Sequence, residues 1–188
     1  MLEEKASAKV NLCLQIVGQD SSGFHLLDSI VGFTEFGDHL SFKKSDELEL
    51  TIKGTFSDQI PVDNSNLILK AAELLRTINN IKAGAHITLT KNLPPSAGLG
   101  GGSSDAAATI RGLSRLWDTD LPEIDDLMKI GSDLPVCINQ KTQHMKGFGE
   151  VLEEINTFPN LPILLVNPLK KVSTQTVFRM LKNKKNPP

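Results

Sequence analysis

Residues 94–108 read Pro-Pro-Ser-Ala-Gly-Leu-Gly-Gly-Gly-Ser-Ser-Asp-Ala-Ala-Ala, a glycine-rich loop that runs straight into an alanine-rich helix start. Without Cβ atoms, the glycines can take backbone angles closed to other residues, so successive N–H groups can converge on one point. The helix adds its unpaired N-terminal N–H groups and the positive end of its dipole. Ser103 and Ser104 bring hydroxyls that can cap the helix, bind a phosphate oxygen or meet a phosphate-bound Mg2+. Together these features predict an anion site. The loop is not a Walker A motif, because no Lys-Ser or Lys-Thr follows the glycines, and its spacing fails G-x-G-x-x-G. A flexible linker is the competing reading. A strand pattern before the loop and small helical residues after it speak against that.

The elements around the loop follow from periodicity. Residues 6–17 alternate, with Ala6, Ala8, Val10, Leu12, Leu14 and Ile16 on one face and Ser7, Lys9, Asn11, Cys13 and Gln15 on the other. Residues 18–27 read as a loop. Strands are expected at 30–36, 40–43, 47–53 and 85–89, and further strands at 135–139, 151–155 and 161–167. Helical spacing marks 67–78, capped by Asn64 or Ser65; 104–117; 121–130, capped by Asp120; and about 173–181. This order is not strict βαβ alternation. It predicts an α+β layer of mostly antiparallel strands under helices.

Composition narrows the function classes. The net charge of −2 argues against nucleic-acid binding by bulk electrostatics. The basic cluster Lys182, Lys184 and Lys185 reads as a solvated tail. The longest apolar runs, such as 161–166, are too short to span a bilayer, and no signal peptide opens the chain. Cys13 and Cys137 lie far apart, both in strand-like segments. They read as free thiols in a reducing, cytoplasmic setting. His25, His39, His86 and His144 lack metal-ligand spacing.

Phosphoryl transfer needs a phosphate cradle, positive charge and a group that orients or deprotonates the acceptor. The glycine loop offers the first. Lys9 can offer the second, although on position alone it reads at least as readily as exposed surface. Asp133, in Gly131-Ser132-Asp133-Leu134-Pro135, can offer the third or simply form a turn. Phe24 and His25 could stack on and hydrogen-bond a nucleobase, or could anchor a loop. Gly147-Phe148-Gly149-Glu150 reads as a turn between strands.

The motif Pro94-x-x-x-Gly98-Leu99-Gly100-x-x-Ser103-Ser104 resembles the ATP-binding signature of the GHMP kinases. Within that superfamily the chain resembles the kinases of 4-diphosphocytidyl-2-C-methyl-D-erythritol. The likeness rests on Ala8-Lys9-Val10-Asn11-Leu12, Gly23-Phe24-His25-x-Leu27, Ser29, Gly37-Asp38, Asn66-Leu67-Ile68, Lys91-x-Leu93-Pro94 and the two motifs just named.

The resemblance implies ATP-dependent phosphorylation of the substrate 2-hydroxyl in the non-mevalonate route to isoprenoid precursors. Asp133 would be the general base, with Lys9 beside it stabilising charge at the transferring phosphoryl group. Asn11 would orient the substrate. His25 would read the cytosine edge, with Phe24 and Phe178 stacking on the ring; family members often carry Tyr at the first position, and this chain has no tyrosine. ATP would meet Asn66, Leu67, Lys91, Pro94, Gly98, Leu99, Gly100, Gly101, Gly102, Ser103 and Ser104. Mg2+ would bridge its phosphates, with Ser103 or Ser104 nearby.

The implied partner is a small molecule, with neither nucleic acid nor membrane. The implied fold has a layer like the second domain of ribosomal protein S5 over residues 1–158, and an incomplete α+β domain beginning over 159–188. The lead into Asp133 is several residues shorter than the family's. Two alternatives stay open: a weak or inactive fragment that binds nucleotide or a partner, and a GHMP kinase for another small alcohol.

Overall fold

The computed structural model describes residues 1–21, 23–170, 174–183 and 186. Ser22, Ser173, Lys184 and Lys185, which the sequence reading touched, lie outside them. Two long strands form the frame. β1 (Leu2–Gln19) and β2 (His25–Ser45) make an antiparallel hairpin. Its turn is tighter than the loop expected over 18–27, because the Asp20 carboxylate accepts the Phe24 N–H at 2.9 Å and the Asp20 N–H donates to the Phe24 carbonyl. β2 runs unbroken through Gly37-Asp38, where two strands were expected. Asp38 is buried there as an anchor for residues 91–93 and makes no turn.

β1 follows one edge of β2. The opposite edge of β2 is shared, with β5 (Gln143–Gly147) pairing to its first part and β4 (Gly84–Thr90) to its last. β3 (Leu48–Lys53) lies parallel to β4, and β6 (Val151–Glu154) antiparallel to β5. A parallel pair needs a crossover, and α1 (Leu67–Ile78) supplies it. α2 (Gly101–Trp117), α3 (Ile124–Ile130) and α4 (Leu134–Asn139) complete a helical layer. Leu40, Phe42, Ile87 and Leu89 of the sheet meet Ile68 and Leu75 of α1 and Leu113 of α2. Val31 and Met145 meet Ile110, Leu127, Leu134 and Val136 beside them. This is the α+β layer expected.

Several elements differ from the sequence reading. Residues 134–139 are a helix and no strand. Leu134, Pro135, Val136, Cys137 and Ile138 are all buried, so no exposed position betrays the helical period, and Pro suits a first turn. β5 was not anticipated. Residues 161–167 carry no helix or strand and pair with no strand among the described residues; a strand exists only by pairing. α1 is capped by Asn66, not Asn64 or Ser65, and α3 starts after Glu123, not Asp120. α2 begins within the glycines. The last helix, α5, is Thr174–Arg179.

β1 also departs from simple alternation. Register shifts after Ser7 and Asn11 leave Ala6, Ser7, Ala8 and Lys9 all buried, while Leu12 and Leu14 are exposed. At Ser7 and Lys9 the free edge of β1 is covered rather than open to water. The Gln140 side-chain oxygen takes the Ser7 N–H, and the Leu99 carbonyl takes the Lys9 N–H at 2.8 Å.

Candidate active site

The glycine loop lies directly on β1. Gly100 has φ +61°, and a Cβ there would meet the Lys9 side chain at 2.8 Å. Only glycine combines that left-handed angle with so close an approach. Lys9 is thereby buried along its stem, which excludes the reading of an exposed surface lysine. Its ammonium reaches Asp133 Oδ1 at 2.9 Å. Asp133 sits in the three-residue link Gly131-Ser132-Asp133 between α3 and α4, at the N-terminal boundary of α4. Short as the lead is, it delivers the carboxylate to Lys9, where 40% of its side chain is exposed. A buried cation thus faces an open carboxylate at the lip of the loop. Asn11 points to the same side of β1 as Lys9, and its amide donates to Ser29 Oγ at 2.7 Å.

The start of α2 separates the two serines. Ser104 is buried and turns its hydroxyl to Cys137 Sγ at 3.6 Å, whereas Ser103 stays partly exposed. Burial pushes the Cys137 thiol up to about 12, so it is an inert neighbour. The N-terminus of α1 comes close to the loop: a Cβ on Gly102 would lie 3.3 Å from Leu67 Cδ1. Asn66 caps α1, its side-chain oxygen accepting the Ile68 N–H at 2.8 Å and its amide donating to the Pro61 carbonyl. Pro94 and Leu99 are partly buried and Gly98 is open to solvent.

Lys91 is not on the open side. Its ammonium is buried under Gly101 and donates to Asp38 Oδ2 and Asp105 Oδ2, both at 2.6 Å. Asp38 Oδ1 accepts the backbone N–H groups of Asn92 and Leu93. The triad bolts the strand end that launches the loop to the helix that leaves it. Burial, partly offset by Lys91, pushes Asp105 up to about 8. The sequence reading gave Asp38 and Asp105 no role. The available signal was an aspartate set among alanines on the inward stripe of α2, which demands a buried partner.

A second feature lies beyond the hairpin turn. Phe24, His25, Leu27, Met128, Ser132, Phe148 and Phe178 line an open, mostly apolar groove of about 790 Å³. His25 stacks on Phe178 with centroids 5.0 Å apart, and Phe24 meets Phe148 edge-on at 6.3 Å. His25 Nε2 is buried without a hydrogen-bond partner among the described residues. The structure therefore brings Phe24, His25 and Phe178 together, and adds Phe148. Ser132 joins this groove to its neighbour Asp133. Among the described residues, no cluster of three or more His, Cys, Asp or Glu side chains forms a metal site. No helix there is long and apolar enough to cross a membrane.

Residues 66–147 match the family model described as the GHMP kinases N terminal domain. A 4-diphosphocytidyl-2-C-methyl-D-erythritol kinase of Rhizobium etli is 44% identical over 98% of this chain and 65% of its own length. One from Paramagnetospirillum magneticum is 46% identical over 93% of this chain and 62% of its own length. The chain thus spans less than two thirds of these curated relatives. Among solved structures, a 4-(cytidine 5'-diphospho)-2C-methyl-D-erythritol kinase superposes with a TM-score of 0.78 at 28% identity, covering 100% of this chain and 67% of its own. A homoserine kinase from Cytophaga hutchinsonii, at TM-score 0.60 and 18% identity, shares the fold.

Proposed function

We propose that the chain is a GHMP kinase, as its likeness to that family's N-terminal domain and to curated kinases suggests, and that it transfers the γ-phosphoryl group of ATP to the 2-hydroxyl of 4-diphosphocytidyl-2-C-methyl-D-erythritol. The observation that carries this reading is the position of Lys9. Its stem packs under Gly100 of the phosphate loop and its ammonium holds Asp133. One side chain therefore ties the anion cradle to the candidate base.

In this reading the loop N–H groups and the first turn of α2 hold the ATP phosphates. Leu67 and the backbone around Asn66 and residues 91–94 flank the adenine. Lys91 acts from below, as a strut for the loop. Asp133 accepts the proton of the acceptor hydroxyl as its oxygen attacks the γ-phosphorus. The bond to the β–γ bridging oxygen breaks and ADP leaves. Lys9 offsets the negative charge that gathers at the transferring group. The orphaned His25 Nε2 suits a polar cytosine edge, and Phe24 and Phe178 suit its faces. Asn11 helps orient the sugar alcohol.

Mg2+ fits this site as a companion of the phosphates, and Ser103, partly exposed where Ser104 is committed to Cys137, would be the serine able to meet it. It would neutralise phosphate charge and orient the γ-phosphoryl group. Residues 1–158 form the nucleotide-binding and catalytic domain in this reading, and 159–188 begin a second one. The free thiols Cys13 and Cys137 suit the cytoplasm.

A second reading is a nucleotide-binding scaffold with little turnover. The exposure of Leu164 and Val166, 87% and 83%, favours it, because uncovered apolar side chains suit a surface that binds a partner. An ADP-release assay on this chain separates the two. Substrate-dependent release that vanishes in Asp133→Ala supports the kinase. ATP binding without release supports the scaffold.

A further inference from the structure

We propose that the β5–β6 turn, Gly147-Phe148-Gly149-Glu150, is a positioning device that sets Asp133 and the aromatic groove together. The inference rests on the kinase reading for its consequence but not for its geometry. Gly149 has φ +114° and is buried against the link that carries Asp133. A Cβ at this position would lie 2.5 Å from the Ser132 carbonyl oxygen. That oxygen and the Asp133 N–H belong to one rigid peptide plane. Whatever moves the Ser132 carbonyl therefore moves Asp133 Cα and its carboxylate. The other end of the turn is held by Glu150. Its carboxylate accepts the Phe148 N–H at 2.6 Å, and the Gly149 N–H donates to the Lys146 carbonyl at 3.2 Å. Phe148 in turn sets its ring edge-on to Phe24 in the groove. One four-residue turn thus touches both the base link and the groove wall. Gly149 and Glu150 contact no reacting atom in this account; they act through Ser132 and Phe148.

The size of the effect follows from the contact. Relieving 2.5 Å to an ordinary carbon–oxygen separation shifts the Ser132 peptide by about an ångström, and misplacement on that scale costs roughly 100-fold in rate. The direct readout is the Asp133 carboxyl 13C resonance, assigned by its loss in Asp133→Asn. In Gly149→Ala this resonance is expected to move to the position it takes in Lys9→Met, where the partner ammonium is gone. ATP affinity is expected to stay within about twofold and kcat to fall roughly 100-fold.

Glu150→Ala, which loses the Phe148 acceptor, is expected to raise the acceptor KM, with Glu150→Gln restoring it. These two variants carry the test if Gly149→Ala does not fold. A folded Gly149→Ala with an unmoved Asp133 resonance overturns the proposal, as does a Glu150→Ala indistinguishable from the parent. If the resonance moves while the parent chain releases no ADP, the positioning inference stands and the kinase reading falls.

Discussion

Lys9 Nζ stands 2.9 Å from Asp133 Oδ1, and the two side chains differ sharply in exposure, 5% against 40%. The lysine is locked by Gly100 above it and by the Leu99 carbonyl on its backbone N–H. The carboxylate is free to meet a substrate. The pair is therefore a buried cation that aims an exposed anion. Asp133→Asn keeps the shape and removes the basic oxygen. ADP release is expected to fall by about 10²–10⁴-fold, with ATP affinity nearly unchanged by equilibrium titration. An Asp133→Asn variant that retains near-parental turnover would remove this residue from the chemistry.

The buried triad makes stability depend on pH. Lys91 shares its ammonium between Asp38 and Asp105, and charge balance leaves one carboxyl best protonated. Asp105, pushed up by burial to about 8, is that group. Its folded pKa lies above its unfolded one, so its contribution is complete below the unfolded value, 3.8. That contribution is lost as pH rises through about 8. Thermal unfolding should show the midpoint falling between these limits. Asp105→Asn mimics the protonated acid and should flatten that slope. Asp38→Asn weakens the acceptor of the Lys91 ammonium and of the Asn92 and Leu93 N–H groups, and should cost about 1–3 kcal/mol. Equal slopes in parent and Asp105→Asn would reassign the proton.

What could be read from sequence was local. The glycine loop, the α1 and β3 patterns and the Lys9–Asn11 pairing each repeat a simple period or motif. What escaped depended on neighbours. Residues 134–138 are buried on every side, so helix and strand gave the same apolar run. β1 loses its alternation where bulges and the loop cover its edge, which is why Lys9 is buried and Leu14 is not. Asp38 and Asp105 sit 67 positions apart in the chain by number, and only the fold brings them to one ammonium. Phe148 entered the groove through a turn that looked like plain punctuation.

Helix α2 approaches the sheet at Gly112. A Cβ there would lie 2.3 Å from Phe42 Cε2, a ring that is fully buried. Gly112→Ala raises helix propensity but overpacks the core, and the net loss should be about 1–3 kcal/mol by denaturant unfolding. Shrinking the partner relieves the clash. Gly112→Ala with Phe42→Leu should therefore lose less than the sum of the single changes. Strict additivity would place the cost elsewhere.

The two serines at the head of α2 give the sharpest separation of roles. Ser104 is buried, its hydroxyl spent on Cys137 Sγ at 3.6 Å, whereas Ser103 stays partly exposed in the first turn. If the loop holds phosphates, Ser103 meets them or their metal, and Ser104 supports the helix from beneath. Ser103→Ala should weaken ATP binding several-fold, by about 1 kcal/mol, with thermal stability unchanged. Ser104→Ala should leave ATP affinity unchanged and cost stability by a similar amount, because the change lies in the packed core. Isothermal titration with ATP and Mg2+, paired with thermal unfolding of both variants, reads the two effects separately. The reverse pattern would mean that α2 rotates on binding to present Ser104, and that the loop with Ser104 turned to Cys137 is a resting state.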